Sequence, residues 1–178
     1  MGYFTKQTAE ADSTTELLPL TRDLIAAGLT ARDWNFGTDD EGDLGGVWGG
    51  HVFFFLRYGQ NEEILQIRGR WNRDIGAENL DRVLSLVNAW NTDKIWPKVY
   101  VRQEDDLLGI YAECATDLEH GVTRSQLDQL LLCAISSGVS FFDHLDEAFP
   151  AAAEAARAAE AAREAEAAGS GTDSSEIG

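Results

Sequence analysis

The segment from Asn88 to Arg102, Asn-Ala-Trp-Asn-Thr-Asp-Lys-Ile-Trp-Pro-Lys-Val-Tyr-Val-Arg, constrains the fold more than any other part of the chain. An amphipathic helical pattern runs out in its first residues and an alternating strand pattern starts in its last ones. Asn91 marks the helix stop, and the Trp96-Pro97 pair forces extended backbone ahead of Val99-Tyr100-Val101. With Trp90 and Trp96 on either side of that stop, the pattern predicts a helix-to-strand corner clamped by large aromatic rings.

On the N-terminal side of this corner, residues 1–16 are polar and aperiodic and read as a mobile leader. A helix is predicted from Glu16, with Pro19 in its first turn, Leu17, Leu20, Leu24 and Ile25 near helical spacing, and Gly28 closing it. A strand over Ala31 to Gly37 leads into the acidic turn Thr38 to Asp43, and a second strand spans Val47 to Tyr58. In it, Val52-Phe53-Phe54-Phe55-Leu56 is apolar on both faces, which predicts a central strand covered on both sides by helices or another subunit. Gly45-Gly46 and Gly49-Gly50 precede and punctuate a strand instead of opening a helix, so they read as bends or bulges, not a phosphate cradle. The third strand, Glu62 to Trp71, alternates. Leu65, Ile67 and Trp71 point one way, and Ile64, Gln66, Arg68 and Arg70 point the other, onto a wet face.

A second helix is predicted over Gly76 to Asn91, with Leu80, Val83, Leu84, Val87 and Trp90 on one stripe. Strands Lys98 to Arg102 and Leu107 to Thr116 join through the hairpin signal Gln103-Glu104-Asp105-Asp106, with Leu108, Ile110, Ala112 and Cys114 on one face. The capping box Thr123 to Gln126 opens a third helix that runs to Pro150, with a break at Gly138. The order α-βββ-α-ββ-α predicts an α+β domain over residues 17–150, an antiparallel sheet of about five strands packed with helices. Beyond Pro150, 12 of the 18 residues from Ala151 to Ala168 are alanine, and Glu154, Arg157, Glu160 and Arg163 recur at spacing three. That composition predicts a solvated helix acting as a spacer over 151–168, followed by a disordered tail over 169–178.

Charge removes two classes of partner. A formal net charge of −17 on 178 residues repels phosphate backbones and anionic headgroups, so neither nucleic acid nor a membrane is expected to bind. Arg68, Arg70 and Arg73 form the one close basic group, around Trp71, and read as part of a solvated sheet face. The apolar run Val52 to Leu56 is far too short to span a bilayer, and a cytoplasmic protein is expected.

Catalytic and metal chemistry find no grouping. His51, His120 and His144 are far apart without a metal motif, and Asp39 to Asp43 lacks the glycine and distal glutamate of an EF-hand loop. Cys114 and Cys133 lie among apolar neighbours and read as buried free thiols. There is no Gly-x-Ser-x-Gly elbow. No catalytic residue, cofactor or metal follows from the sequence, although His51, among aromatics, would titrate near neutral pH if burial or a carboxylate shifted it.

The corner residues, with Gly69-Arg70-Trp71-Asn72 and Asp117-Leu118-Glu119-His120-Gly121-Val122-Thr123, make the chain resemble the YbjN-like family, labelled as bacterial sensory transduction regulators. The resemblance covers about Leu17 to Pro150. It implies a fold like that of the type III secretion chaperones, small α+β units that often dimerise and bind other polypeptides without catalysis. The expected function is a non-enzymatic regulatory or chaperone-like module that binds a polypeptide or itself, as a homodimer. Trp48, Phe54, Trp71 and Trp96 are the candidate partner-binding residues, against a core-filling role for each. The alternative is a small-molecule sensor with an apolar pocket between sheet and helices.

Overall fold

The computed structural model describes residues 16–170, with side chains through Ala167. Helix α1 (Arg22–Ala31) precedes strands β1 (Gly37–Thr38), β2 (Leu44–Trp48), β3 (His51–Tyr58) and β4 (Ile64–Arg70). Helix α2 (Leu80–Asp93), strands β5 (Lys98–Glu104) and β6 (Leu107–Asp117), and helices α3 (Arg124–Ala148) and α4 (Pro150–Ser170) follow. The six strands form one sheet in the order β1-β2-β3-β4-β6-β5, with every neighbouring pair antiparallel. The α+β architecture is as expected; the strand count is six instead of five.

The extra strand comes from Gly49 and Gly50. Both have positive φ, 60° and 77°, the backbone that a two-residue hairpin turn demands and that side chains resist. The apolar stretch read as one strand from Val47 is therefore two strands, with Val47 opposite Val52 and Trp48 opposite His51. The strand expected over Ala31 to Gly37 shrinks to Gly37–Thr38, because Ala31 still belongs to α1 and Asp33 turns the chain with φ 55°.

Helix α1 starts at Arg22, not Glu16. The Thr21 side chain caps it by accepting from the Leu24 N–H, while Leu18 bridges to Val122. Gly28 lies inside this helix. A Cβ there would meet Leu131 Cδ1 at 2.9 Å, so the glycine permits close packing of α1 on α3. Gly138 likewise does not break α3. A Cβ there would come within 2.8 Å of the Phe53 ring, and one at Gly69 within 2.5 Å, so the two glycines make the slot that Phe53 fills. In α2, Leu84 faces solvent, and Leu86 packs with Val83 and Val87 toward the core.

The corner is held differently from the sequence reading. Helix α2 runs on to Asp93, and Asn91 uses its side-chain amide on the edge strand: Nδ2 donates to the Val99 carbonyl at 2.9 Å and Oδ1 accepts from the Val99 N–H at 3.0 Å. This satisfies an edge-strand residue that would otherwise offer its backbone to another chain. Trp90 packs on Phe141 with ring centroids 5.0 Å apart, whereas Trp96, before a cis Pro97, is 58% exposed.

All the packing helices lie on one face of the sheet. Leu44, Phe53, Phe55, Leu65, Ile67, Val99, Leu108, Ile110 and Ala112 alternate inward onto Val83, Leu127, Leu131, Ile135, Phe141, Phe142 and Leu145. Helices cover β3 on one side only: Val52, Phe54 and Leu56 face away from them and are half-exposed within this chain. In α4 the first turn docks, with Ala153 buried beside Phe149, and the residues from Arg157 to Ala167 are exposed. Small alanine side chains permit that close docking, which the expectation of a wholly solvated spacer did not include. Gly169 and Ser170 extend this helix. The expected leader, apart from Glu16, and residues 171–178 of the expected tail lie outside the described residues.

Candidate functional site

Period-two alternation along β2 to β6 builds two unlike faces, and the helix-free one gathers side chains in cross-strand rows. One row runs Phe54, Arg68, Glu113, Lys98, and the next runs Val47, Val52, Arg70, Tyr111, Tyr100. Leu56, Tyr58 and Ile64 extend the face toward the far strand ends. The β2–β3 half is therefore apolar and the β4–β6–β5 half cationic and aromatic.

The polar half is tightly connected. The Glu113 carboxylate accepts from Lys98 Nζ at 2.6 Å and from the Tyr100 hydroxyl at 3.1 Å, and lies 3.4 Å from Arg68 Nε. Burial pushes its carboxyl up, but the Lys98 and Tyr100 hydrogen bonds and the nearby cations outweigh that and hold it below the usual range. Glu104 accepts from the Tyr111 hydroxyl and from Arg70 at 2.8 Å, contacts that also lower its carboxyl. The Tyr100 and Tyr111 rings stack 5.2 Å apart, and the Arg102 guanidinium lies over both, 5.3 and 5.7 Å from their centroids. Sequence reasoning named Arg68 and Arg70 but missed Lys98, Tyr100, Arg102, Tyr111 and Glu113. Their signal was present in the alternation of β5, whose apolar Val99 and Val101 put Lys98, Tyr100 and Arg102 on the opposite face.

The four candidate aromatics separate. Phe54 lies on the helix-free face, half-exposed, and Trp96 protrudes at the corner beside Ile95. Trp48 faces the helix side, packed edge-on against Trp34, Phe53 and Phe55. Trp71 is 1% exposed, its ring against Phe149, and so fills the core and presents nothing to a partner.

A second polar cluster lies beneath the β2–β3 turn. Trp71 Nε1 donates to Asp146 at 2.7 Å, and Arg73 donates to the other oxygen of Asp146 at 3.0 Å and to the Gly50 and Asn72 carbonyls. His51, fully buried, accepts the Asn72 N–H on Nδ1 at 3.1 Å. Burial, with Arg73 nearby, pushes its imidazole down to about 4, so it stays neutral, outside the neutral-pH range that its sequence position left open. These hydrogen bonds tie turn, loop and α3 together, which gives the cluster a structural role, although His51 Nε2 and Arg73 Nε are buried without a partner among the described residues.

His120 is exposed and His144 lies near Trp90. Among the described residues no three His, Cys, Asp or Glu side chains converge as a metal would require. In the Asp39 to Asp43 turn, Asp39 Oδ1 accepts the N–H groups of Glu41 and Asp43. Cys114 and Cys133 are free and half-buried, and burial pushes the Cys114 thiol up to about 11, far from a reactive thiolate. The surface clefts lie between helices or loops; one of about 480 Å³ is lined by Trp90, Lys94, Asp143, His144 and Glu147. Among the described residues no helix is long and apolar enough to cross a membrane.

Fold and surface together define a one-sided α+β domain: an antiparallel sheet backed by helices on one face and bare on the other. The chain belongs to the YbjN family, whose description is "Putative bacterial sensory transduction regulator", with residues 21–147 matched. That description is of a regulator, not an enzyme. The fold is similar to the crystal structure of YbjN from E. coli, described as "a putative transcription regulator", with a TM-score of 0.63 and 13% identity over 76% of this chain and 96% of that one. No curated protein matches the chain.

Proposed function

We propose that this protein is a non-enzymatic regulatory module of chaperone-like character, which binds a polypeptide through the helix-free face of its sheet. The observation that carries the reading is the half-exposed apolar patch of Val47, Val52, Phe54, Leu56, Tyr58 and Ile64 on a six-stranded scaffold. A rigid sheet holds such side chains in place at low entropic cost, and aromatics are the usual anchors of interfaces. The regulator label of the family agrees with binding without turnover.

The test is affinity capture by the tagged chain from cells that make it, beside a Phe54→Asp variant whose circular dichroism shows it folded. One protein held by the native chain and lost by the variant supports the reading. Equal recovery by both overturns this surface. A small-molecule sensor has one observation in its favour, the buried Trp90 indole N–H without a partner beside the 480 Å³ cleft. A metabolite-dependent rise in melting temperature, absent in Trp90→Phe, would favour it.

A further inference from the structure

The chain carries a formal charge of −17, yet the centre of its helix-free face carries four cations, Arg68, Arg70, Lys98 and Arg102, against two carboxylates, Glu104 and Glu113. Lys98 and Arg68 lie on Glu113, and Arg70 on Glu104. Among the described residues Arg102 has no carboxylate within ion-pair distance. Its guanidinium lies 5.3 and 5.7 Å from the Tyr100 and Tyr111 ring centroids and is exposed, so it is a cation at the surface with donors to offer a carboxylate.

We infer that this face takes an extended acidic segment of a partner polypeptide, with apolar side chains on Val52 and Phe54 and carboxylates on the strip around Arg102 and Lys98. This rests on the reading of the sheet face as the docking surface and adds the chemistry of the occupant. The register sets the spacing. From β3 across β4 and β6 to β5 is three strand separations, about 14 Å, which an extended chain covers in about four residues. The segment therefore carries a bulky apolar residue about three to five positions from a pair of acidic ones.

Charge argues against the other occupants. A second copy of this chain brings another −17 and the same cationic strip, so the two copies repel as wholes and the copy offers that strip no surplus of carboxylates on its matching face. A nucleic acid strand would find stacked tyrosines covered by Arg102, not splayed rings, and its backbone would cross the apolar half without a partner.

The experiment is selection of displayed random-sequence peptides on the intact chain, with dissociation constants measured for the enriched sequences at low and high salt. The expected result is enrichment of an apolar residue followed at that spacing by Asp or Glu. Arg102→Glu, an exposed change outside the hydrophobic core, should then weaken binding by about tenfold or more in a variant whose circular dichroism shows it folded. Enriched peptides without acidic residues, lost in Phe54→Asp but indifferent to Arg102→Glu, overturn the acidic preference and leave the docking surface standing. Absence of any enrichment overturns both, as does a Phe54-dependent dimer in sedimentation. Displacement of the selected peptide by a single-stranded oligonucleotide overturns the choice of polypeptide.

Discussion

Phe53 and Phe54 are neighbours in sequence, share a side chain and a strand, and have opposite circumstances. Phe53 fills a slot between Gly69 and Gly138 and packs against Trp48 and Phe142, while Phe54 stands half-exposed opposite Arg68. The difference extends to the two faces of the sheet. The inner face is apolar and closed by α2 and α3; the outer one is half apolar, half ionic and open. Hydrophobicity of a strand thus does not say which of its faces is covered, because coverage depends on where the helices return.

The sharpest way to break this comparison is to truncate the two rings separately. Phe53→Ala should cost about 4 kcal/mol in urea denaturation, since glycine neighbours give the cavity little with which to collapse. Phe54→Ala should cost about 1 kcal/mol. Equal losses would mean that the outer face is covered in solution. Asp146→Ala should cost about 3 kcal/mol, because it strands the buried Arg73 and Trp71 donors. A loss under about 0.5 kcal/mol would show that the inner polar cluster contributes nothing to the inner face.

The two faces should also differ in their response to acid. In the fold His51 is neutral down to about 4, whereas the unfolded chain takes up a proton there below about 6.5. Stability from this group is therefore complete above 6.5 and is lost as pH falls toward 4. His51→Gln should flatten that limb of the stability curve, measured against the native chain. Glu113, on the outer face, is held below its usual 4.5, so its contribution disappears only as pH falls below that value. Glu113→Gln should leave the 4.5–6.5 limb unaltered, and a change there would assign the limb to the outer face.

The smallest effect concerns α4. Deleting residues 158–178 should change stability by less than about 0.5 kcal/mol, while deletion from Ala151 also removes the buried Ala153 and should lower the melting temperature by several degrees. If both truncations behave alike, the docked first turn adds nothing to the helical layer.

Local chemistry alone determined much of this protein. The capping box at Thr123 and Gln126, the alternation of β4 and β6 and the stripe of α2 were legible because backbone capping and side-chain periodicity act over a few residues. The half-wet face of β4 was legible for the same reason. What tertiary structure decided depends on residues far apart in sequence. Gly138 is a contact point instead of a break because Phe53 arrives there, and Asn91 is a strand clasp instead of a helix stop because Val99 lies against it. Trp71 belongs to the core because Asp146 and Phe149 meet it, and the strip around Arg102 exists only because β5 pairs with β6 and β6 with β4. A single sequence carries the period of each strand, but which faces meet is set by the return of the chain.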